Sequence, residues 1–194
     1  MTDNIITISN GITLGATEVR ERVRKLLSVI PKNMERTLSD LEMQQFYGLR
    51  LRSPEGHYFI LSMQGSGTHY CEPKRNLSNL AEYSEVEVGI VPDERNRPDR
   101  YRLGTTYDYK AEARIPIKEG EVDSFGRSKR GWLTPADIGF TRVEENPHDD
   151  VLGWVPVSDL VDDLADFFLR GGVIEGDHTD TKEWLAKLGQ ELEG

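Results

Sequence analysis

The sequence predicts an α+β protein with a mainly antiparallel sheet, folded as a single domain over residues 1–194. Helix-type periodicity follows a short hairpin within residues 1–45, period-two alternation dominates residues 46–157, and helix-type periodicity returns in residues 158–194. Grouped strands without regular β-α-β alternation favour this class over a parallel, doubly wound sheet. We therefore expect an N-terminal helical region and two C-terminal acidic helices to pack on the sheet.

The N-terminal residues predict a hairpin followed by an amphipathic helix. Asn10-Gly11 lies between isoleucine-rich runs and is typical of a tight hairpin turn. We expect Thr17 to cap the helix and Pro31 to end it. Apolar side chains at i, i+4, i+7, i+8 and i+11 form its buried face: Val19, Val23, Leu26, Leu27 and Ile30.

A second, shorter helix is predicted over residues 39–45. Thr37 or Ser39 offers a capping hydroxyl, and nearby leucine and methionine side chains supply apolar surface. This segment completes the expected N-terminal helical region.

From residue 46 the apolar period changes to two, which predicts strands. Residues 53–56, with the sequence Ser-Pro-Glu-Gly, join the two arms of a hairpin. Alternation over residues 83–91 predicts a third strand of the same antiparallel sheet. Residues 105–117 predict another extended segment, which Pro116 places at an edge.

The C-terminal region predicts a last strand and two helices. Residues 151–157 form the strand, and Ser158 is expected to cap the helix that follows it. Gly171 and Gly172 end that helix. A final helix is expected from about Thr181 onwards.

The charge of the chain is distributed unevenly. Its formal net charge is −10, and residues 144–194 contain 14 acidic residues against three basic ones, while residues 1–143 are nearly neutral. An acidic surface of this kind disfavours nucleic acid and favours a partner with a basic surface. The basic clusters elsewhere lie close to acids, so nucleic acid is not the expected partner.

Cysteine content and hydropathy predict the compartment. Cys71 is the only cysteine, so no intrachain disulfide can form. The first ten residues lack the basic start and apolar stretch of a signal peptide, and no apolar run approaches the ~18 residues of a membrane span. We expect a cytoplasmic protein without membrane contact.

The loop over residues 65–75 is the best candidate for a chemical site. It places His69 two residues from Cys71, with Lys74 and Arg75 adding positive charge. A thiolate nucleophile needs a nearby base and an electropositive setting, and on a strand His69 and Cys71 would share one face. One open alternative is therefore a small-ligand-binding protein or a Cys/His enzyme that uses this loop.

Other chemistry is not indicated by the motifs. No paired Cys or His spacing suggests a metal site, and no phosphate-binding loop, nucleophile elbow or zinc-protease motif occurs. We expect no metal and no cofactor, and the motifs favour a non-enzymatic protein, with the Cys/His enzyme as the open alternative.

Three short blocks resemble small accessory proteins of tailed bacteriophages. The blocks are HYCEPKR, YSEVEVG and WVPVSDL, and the matching positions are Tyr70, Cys71, Pro73, Lys74, Tyr83, Val86, Glu87, Gly89, Val155, Pro156 and Val157. The resemblance implies a phage origin and an accessory role. It carries over no catalytic residue.

Together these features predict a non-enzymatic protein that binds a host macromolecule, as an inhibitor of a bacterial defence system would. The expected partner is a host or phage protein. The expected contact is an acidic stripe at i, i+3, i+4 and i+7 of the helix after Ser158, formed by Asp159, Asp162, Asp163 and Asp166. Lys74 and Arg75 are further candidate binding residues. A minor virion or assembly component is a second open alternative.

Overall fold

The computed structural model describes residues 5–7, 13–38, 41–93, 105–108, 110–116, 133–144 and 151–175. Its strands and helices are, in chain order, β1 (Ile5–Thr7), β2 (Thr13–Gly15), α1 (Ala16–Val29), β3 (Lys32–Leu38), β4 (Leu41–Phe46), β5 (Leu49–Arg52), β6 (Tyr58–Gln64), β7 (Glu85–Pro92), β8 (Thr105–Asp108), β9 (Ala113–Pro116), β10 (Leu152–Pro156), α2 (Val157–Leu169) and β11 (Val173–Ile174). Short 3-10 helices occupy Leu80–Glu82 and Ala136–Ile138.

A five-stranded antiparallel sheet confirms the predicted α+β class. Its strand order is β10-β7-β6-β5-β11, and each neighbouring pair is antiparallel. The predicted hairpin is β5–β6, and the predicted third strand is β7, which pairs with β6. Alternate residues of β6 are buried, namely Phe59, Leu61 and Met63, because successive side chains point to opposite faces.

The two helices pack against each other and cover the apolar side of the sheet. The predicted face of α1 is buried as expected, and α2 buries Leu160, Leu164 and Phe167. The ring of Phe167 meets the ring of Phe59 edge-on at 5.7 Å between centroids, which joins α2 to β6. No helix in the described part of the chain is long and apolar enough to cross a membrane.

The helix predicted over residues 39–45 is wrong, because Leu41–Phe46 form strand β4, which pairs with β3. Burial alternates along β4, with Gln44 and Phe46 inside and Gln45 exposed. The side chain of Gln44 donates to the carbonyl of Gly65 and to the hydroxyl of Tyr83, both at 2.8 Å. These distant partners override the local helix preference, as tertiary contacts often do.

The single extended segment predicted over residues 105–117 is instead the hairpin β8–β9. Asp108 turns the chain, since its carboxylate accepts from the backbone N–H groups of Lys110 and Ala111. Pro116 ends β9 opposite Thr105 in a two-stranded sheet, where each strand is an edge. The edge position predicted for Pro116 is therefore confirmed.

Neither of the two predicted helix caps is formed. Helix α1 begins at Ala16 and α2 at Val157, and neither N-terminus has a side-chain cap hydrogen bond, so the roles predicted for Thr17 and Ser158 are wrong. Both helices continue directly from a strand, so strand pairing fixes their start. Gly171, with a φ of +97°, ends α2 as predicted. Hairpin β1–β2 is confirmed, whereas its Asn10-Gly11 turn and the helix expected from Thr181 lie outside the described residues.

Candidate binding surface

The loop after β6 is folded around the buried thiol of Cys71. The sulfur accepts from the backbone N–H of Ser66 at 3.3 Å and donates to the carbonyl of Ser66 at 3.1 Å. The carbonyl of Pro73 lies 3.6 Å from the same sulfur. The buried thiol therefore contacts Ser66 before it and Pro73 after it, and so stabilises the loop as a small core side chain.

Among the described residues, no hydrogen bond joins the His69 imidazole to the Cys71 thiol. They lie in a loop and not on one face of a strand, and His69 Nδ1 is bonded to the hydroxyl of Ser66 at 2.8 Å. Burial raises the pKa of the Cys71 thiol and lowers the pKa of His69, which favours the neutral form of each. A thiolate is the reactive species, so this geometry supports a structural role for Cys71.

Tyr83 anchors the far end of the loop from inside. Its hydroxyl accepts from the side chain of Gln44 at 2.8 Å and from the N–H of Leu77 at 2.9 Å, and donates to the carbonyl of Arg75 at 2.7 Å. Burial raises the pKa of Tyr83 to about 12. A Cβ at Gly65 would lie 2.6 Å from the Tyr83 ring, so only glycine allows this approach.

The same loop is seated on strand β10. The N–H of Trp154 donates to the carbonyl of Tyr70 at 3.0 Å, and the N–H of Tyr70 donates to the carboxylate of Glu87 at 3.1 Å. Gly153 allows the close approach, since a Cβ there would lie 2.9 Å from Cβ of Tyr70. The pairing of β10 with β7 shifts register between Leu152 and Val155, at a bulge.

Trp154 occupies this bulge in a left-handed backbone conformation, with a φ of +59°. Large side chains rarely adopt this conformation, because Cβ approaches the following carbonyl oxygen. The bulge leaves the indole beside Tyr70 and mostly outside the core: Trp154 is 43% exposed and Tyr70 is 50% exposed. The fold therefore holds a tryptophan at the surface in spite of the backbone cost.

Tyr70, Trp154 and Lys74 form one cluster, which we call the aromatic surface. The ring centroids of Tyr70 and Trp154 are 6.4 Å apart, with the ring planes tilted by 52°. The ammonium of Lys74 lies 5.7 Å from the Tyr70 centroid and 5.1 Å from the Trp154 centroid. Both distances are within the range of a cation–π contact.

One carboxylate stands beside the aromatic surface. The carboxylate of Glu87 accepts a hydrogen bond from the backbone N–H of Tyr70 at 3.1 Å. Lys74 and Arg75 are exposed, and neither forms an ion pair with a described residue. Lys74 is thus held by aromatic rings and not by an acid.

The acidic stripe predicted on α2 is corrected at Asp163, which is buried and only 1% exposed. Its carboxylate accepts from the backbone N–H groups of Thr141, Arg142 and Val143 at 2.9 to 3.0 Å, and from the guanidinium of Arg142 at 3.0 Å. The Asp163 side chain therefore holds residues 141–143 against α2 through these hydrogen bonds. Leu160 lies three residues before it and Phe167 four after it, so the sequence placed Asp163 in the apolar stripe.

Two further acids of the predicted stripe have arginine partners within the chain. Asp162 bonds Arg20 of α1 at 2.6 Å, and Asp166 bonds Arg142 at 2.8 Å. Within the described ranges, Asp159 accepts a single hydrogen bond, at 3.4 Å from the neighbouring Ser158 hydroxyl. The structure therefore uses most of this stripe to join α1, α2 and residues 141–143.

No protein-family model matches this chain, and no curated protein or solved structure matches it. The resemblance to phage accessory proteins stays a prediction. Two residues that carry it, Tyr70 and Lys74, belong to the aromatic surface, and Val155 and Pro156 directly follow Trp154 on β10. Sequence reasoning missed Trp154, because a tryptophan in an apolar strand is typical of a buried core residue.

Proposed function

We propose that the protein is a non-catalytic binding protein that docks on a partner protein through the aromatic surface. The observation that carries this proposal is the pair of large aromatic side chains, Tyr70 and Trp154, held about half in solvent by a fixed backbone. Tyrosine and tryptophan dominate the binding energy of protein interfaces, since each buries a large area when covered. An internal core role would have buried both rings.

The rigidity of the aromatic surface supports the same function. Hydrogen bonds at the N–H groups of Tyr70 and Trp154 fix the backbone that carries both rings before a partner arrives, so little backbone ordering is required on binding. The left-handed backbone of Trp154 is the second support. Conformations of this kind cost about 1–3 kcal/mol and cluster at functional sites.

A protein is the favoured class of partner. Single-stranded nucleic acid is bound by stacking rings that lie along a positively charged groove. Here the carboxylate of Glu87 lies at the backbone of Tyr70, and the whole chain has a net charge of −10. The phage resemblance favours a host or phage protein in the bacterial cytoplasm, and inhibition of a bacterial defence system is one form such binding would take.

Capture from a nuclease-treated bacterial lysate tests this proposal with two matched variants. The first, Tyr70→Ala with Trp154→Ala, removes both rings. The second, Asp159→Asn with Asp162→Asn and Asp166→Asn, removes the outward acids of α2 and serves as the control. Circular dichroism confirms that each variant is folded.

We expect one stoichiometric protein with the unmodified chain, about a tenfold or greater loss with the ring variant, and retention with the acid variant. Equal capture by the ring variant would contradict the proposal. Loss with the acid variant alone would transfer the contact to α2, as the sequence predicted. Absence of a captured protein would also count against it.

A further inference from the structure

We infer that the aromatic surface recognises a cationic side chain, chiefly arginine, on the partner, and that Lys74 occupies this cation position in the free protein. The inference rests on the proposed function, because it names the chemical group that the partner presents. It assigns Lys74 the role of an internal competitor. Sequence reasoning had instead placed Lys74 among the binding residues.

The first step is that these rings accept a cation in the structure itself. The faces of Tyr70 and Trp154 carry the negative part of the ring quadrupole, and one ammonium lies within about 6 Å of both centroids. The tilt of 52° lets both rings contribute to one position. The geometry of a cation site is therefore already assembled.

The second step is that the resident cation is weakly held. Lys74 is exposed, makes no ion pair with a described residue and sits on a flexible four-carbon stem. A cation–π contact at an exposed site contributes about 0.5–1 kcal/mol, which corresponds to a factor of about two to five in affinity. An arginine, which is planar and less strongly hydrated than an ammonium, can displace it and stack on Trp154.

The third step is that the surrounding charge favours a cationic visitor. The carboxylate of Glu87 lies at the backbone of Tyr70, and the net charge of −10 attracts basic surfaces over a longer range. An anionic partner would gain Lys74 and Arg75 but meet the carboxylate of Glu87 and this overall negative charge. Charge complementarity thus selects a basic segment.

The test is a titration of the ¹⁵N-labelled 194-residue chain with defined probes. The probes are a blocked peptide of alternating glycine and arginine, the same peptide with glutamate in place of arginine, and an oligothymidylate. The chain has three tryptophans, so the indole N–H signal of Trp154 is assigned by its loss in Trp154→Phe. Each titration is repeated with Lys74→Met, which keeps the apolar stem and removes the ammonium.

The arginine peptide is expected to shift the Trp154 signal, and Lys74→Met to bind it about two- to fivefold more tightly, because the competing cation is gone. Weaker binding by Lys74→Met, a stronger response to the glutamate peptide or to oligothymidylate, or no response to arginine in either protein would overturn the inference. The proposed function is judged separately, since ring-dependent capture from lysate can persist when the arginine peptide fails to bind.

Discussion

Asp163 and Trp154 both occupy environments that are unusual for their side chains, and the two regions differ in where the partners lie. The carboxylate of Asp163 is buried, but three backbone N–H groups and Arg142 surround it. The indole of Trp154 is exposed, and besides the resident Lys74 and Tyr70 its open face has no cover in the described part of the chain. A buried charge with all its partners inside stabilises the fold, whereas a fixed, uncovered aromatic pair is suited to an external partner.

The largest expected effect on stability comes from removing the buried carboxylate of Asp163. Asp163→Ala should lower the free energy of unfolding by about 3–5 kcal/mol, because Arg142 and three backbone N–H groups lose their acceptor. Urea denaturation followed by circular dichroism measures it. The control is Asp159→Asn, expected to stay within about 0.5 kcal/mol of the unmodified chain. Similar losses in both variants would contradict the role given to Asp163.

The next effect concerns Tyr83, which anchors the loop of the aromatic surface from inside. Tyr83→Phe should lower stability by about 1–3 kcal/mol, since Gln44, Leu77 and Arg75 lose a buried partner. The pKa of Tyr83 is raised from 10.0 to about 12, so its contribution is fully present below pH 10 and is lost as the pH rises towards 12.

The measurement for Tyr83 is the urea midpoint between pH 8 and pH 12. The unmodified chain should lose stability between pH 10 and 12 more steeply than Tyr83→Phe, which lacks the titrating phenol. Parallel pH curves for the two proteins would show that the hydroxyl is not buried in the folded state.

The third effect separates the cost of the Trp154 backbone conformation from the contribution of its ring to stability. Trp154→Gly and Trp154→Ala both remove the indole, but only glycine accepts a φ of +59° without strain. We expect the glycine variant to be more stable than the alanine variant by about 1 kcal/mol, the reverse of the usual order in a strand. Thermal or urea unfolding of the pair decides it, and a more stable alanine variant would remove the strain argument.

The smallest expected effect tests the exposed ion pair between α2 and α1. Asp162→Asn should cost about 0.2–1 kcal/mol, because Asp162 and Arg20 are both more than a third exposed and water screens their ion pair. The loss should shrink further in 1 M salt. Unfolding curves at low and high salt measure it. A salt-independent loss as large as that of Asp163→Ala would erase the distinction between buried and exposed acids.

The fold was predictable where the apolar period is local. The hairpin β5–β6, strand β7, helix α1 and strand β10 each follow from spacing within their own residues. Strand β4 was not predictable in this way, because its strand state depends on hydrogen bonds from Gln44 to Gly65 and Tyr83, which are distant in sequence. The predicted helix caps at Thr17 and Ser158 were wrong for a similar reason, since strands β2 and β10 lead directly into helices α1 and α2.

The candidate site was predictable only in part. Sequence reasoning selected the loop over residues 65–75, but for the chemistry of Cys71 and not for the ring of Tyr70. Trp154 was missed because the bulge that exposes it arises from the register of β10 against β7, which no local pattern reveals. Asp163 could have been recognised, since Leu160 and Phe167 share its helix face.

The most direct test of the aromatic surface is hydroxyl-radical footprinting of the tagged, full-length protein. Oxidation of Tyr70 and Trp154 is compared between buffer and a nuclease-treated bacterial lysate, with the exposed Ile115 of β9 as the internal reference. A partner seated on the rings should slow the oxidation of Tyr70 and Trp154 relative to Ile115. Equal changes at all three residues would show that no partner covers this surface and would contradict the account.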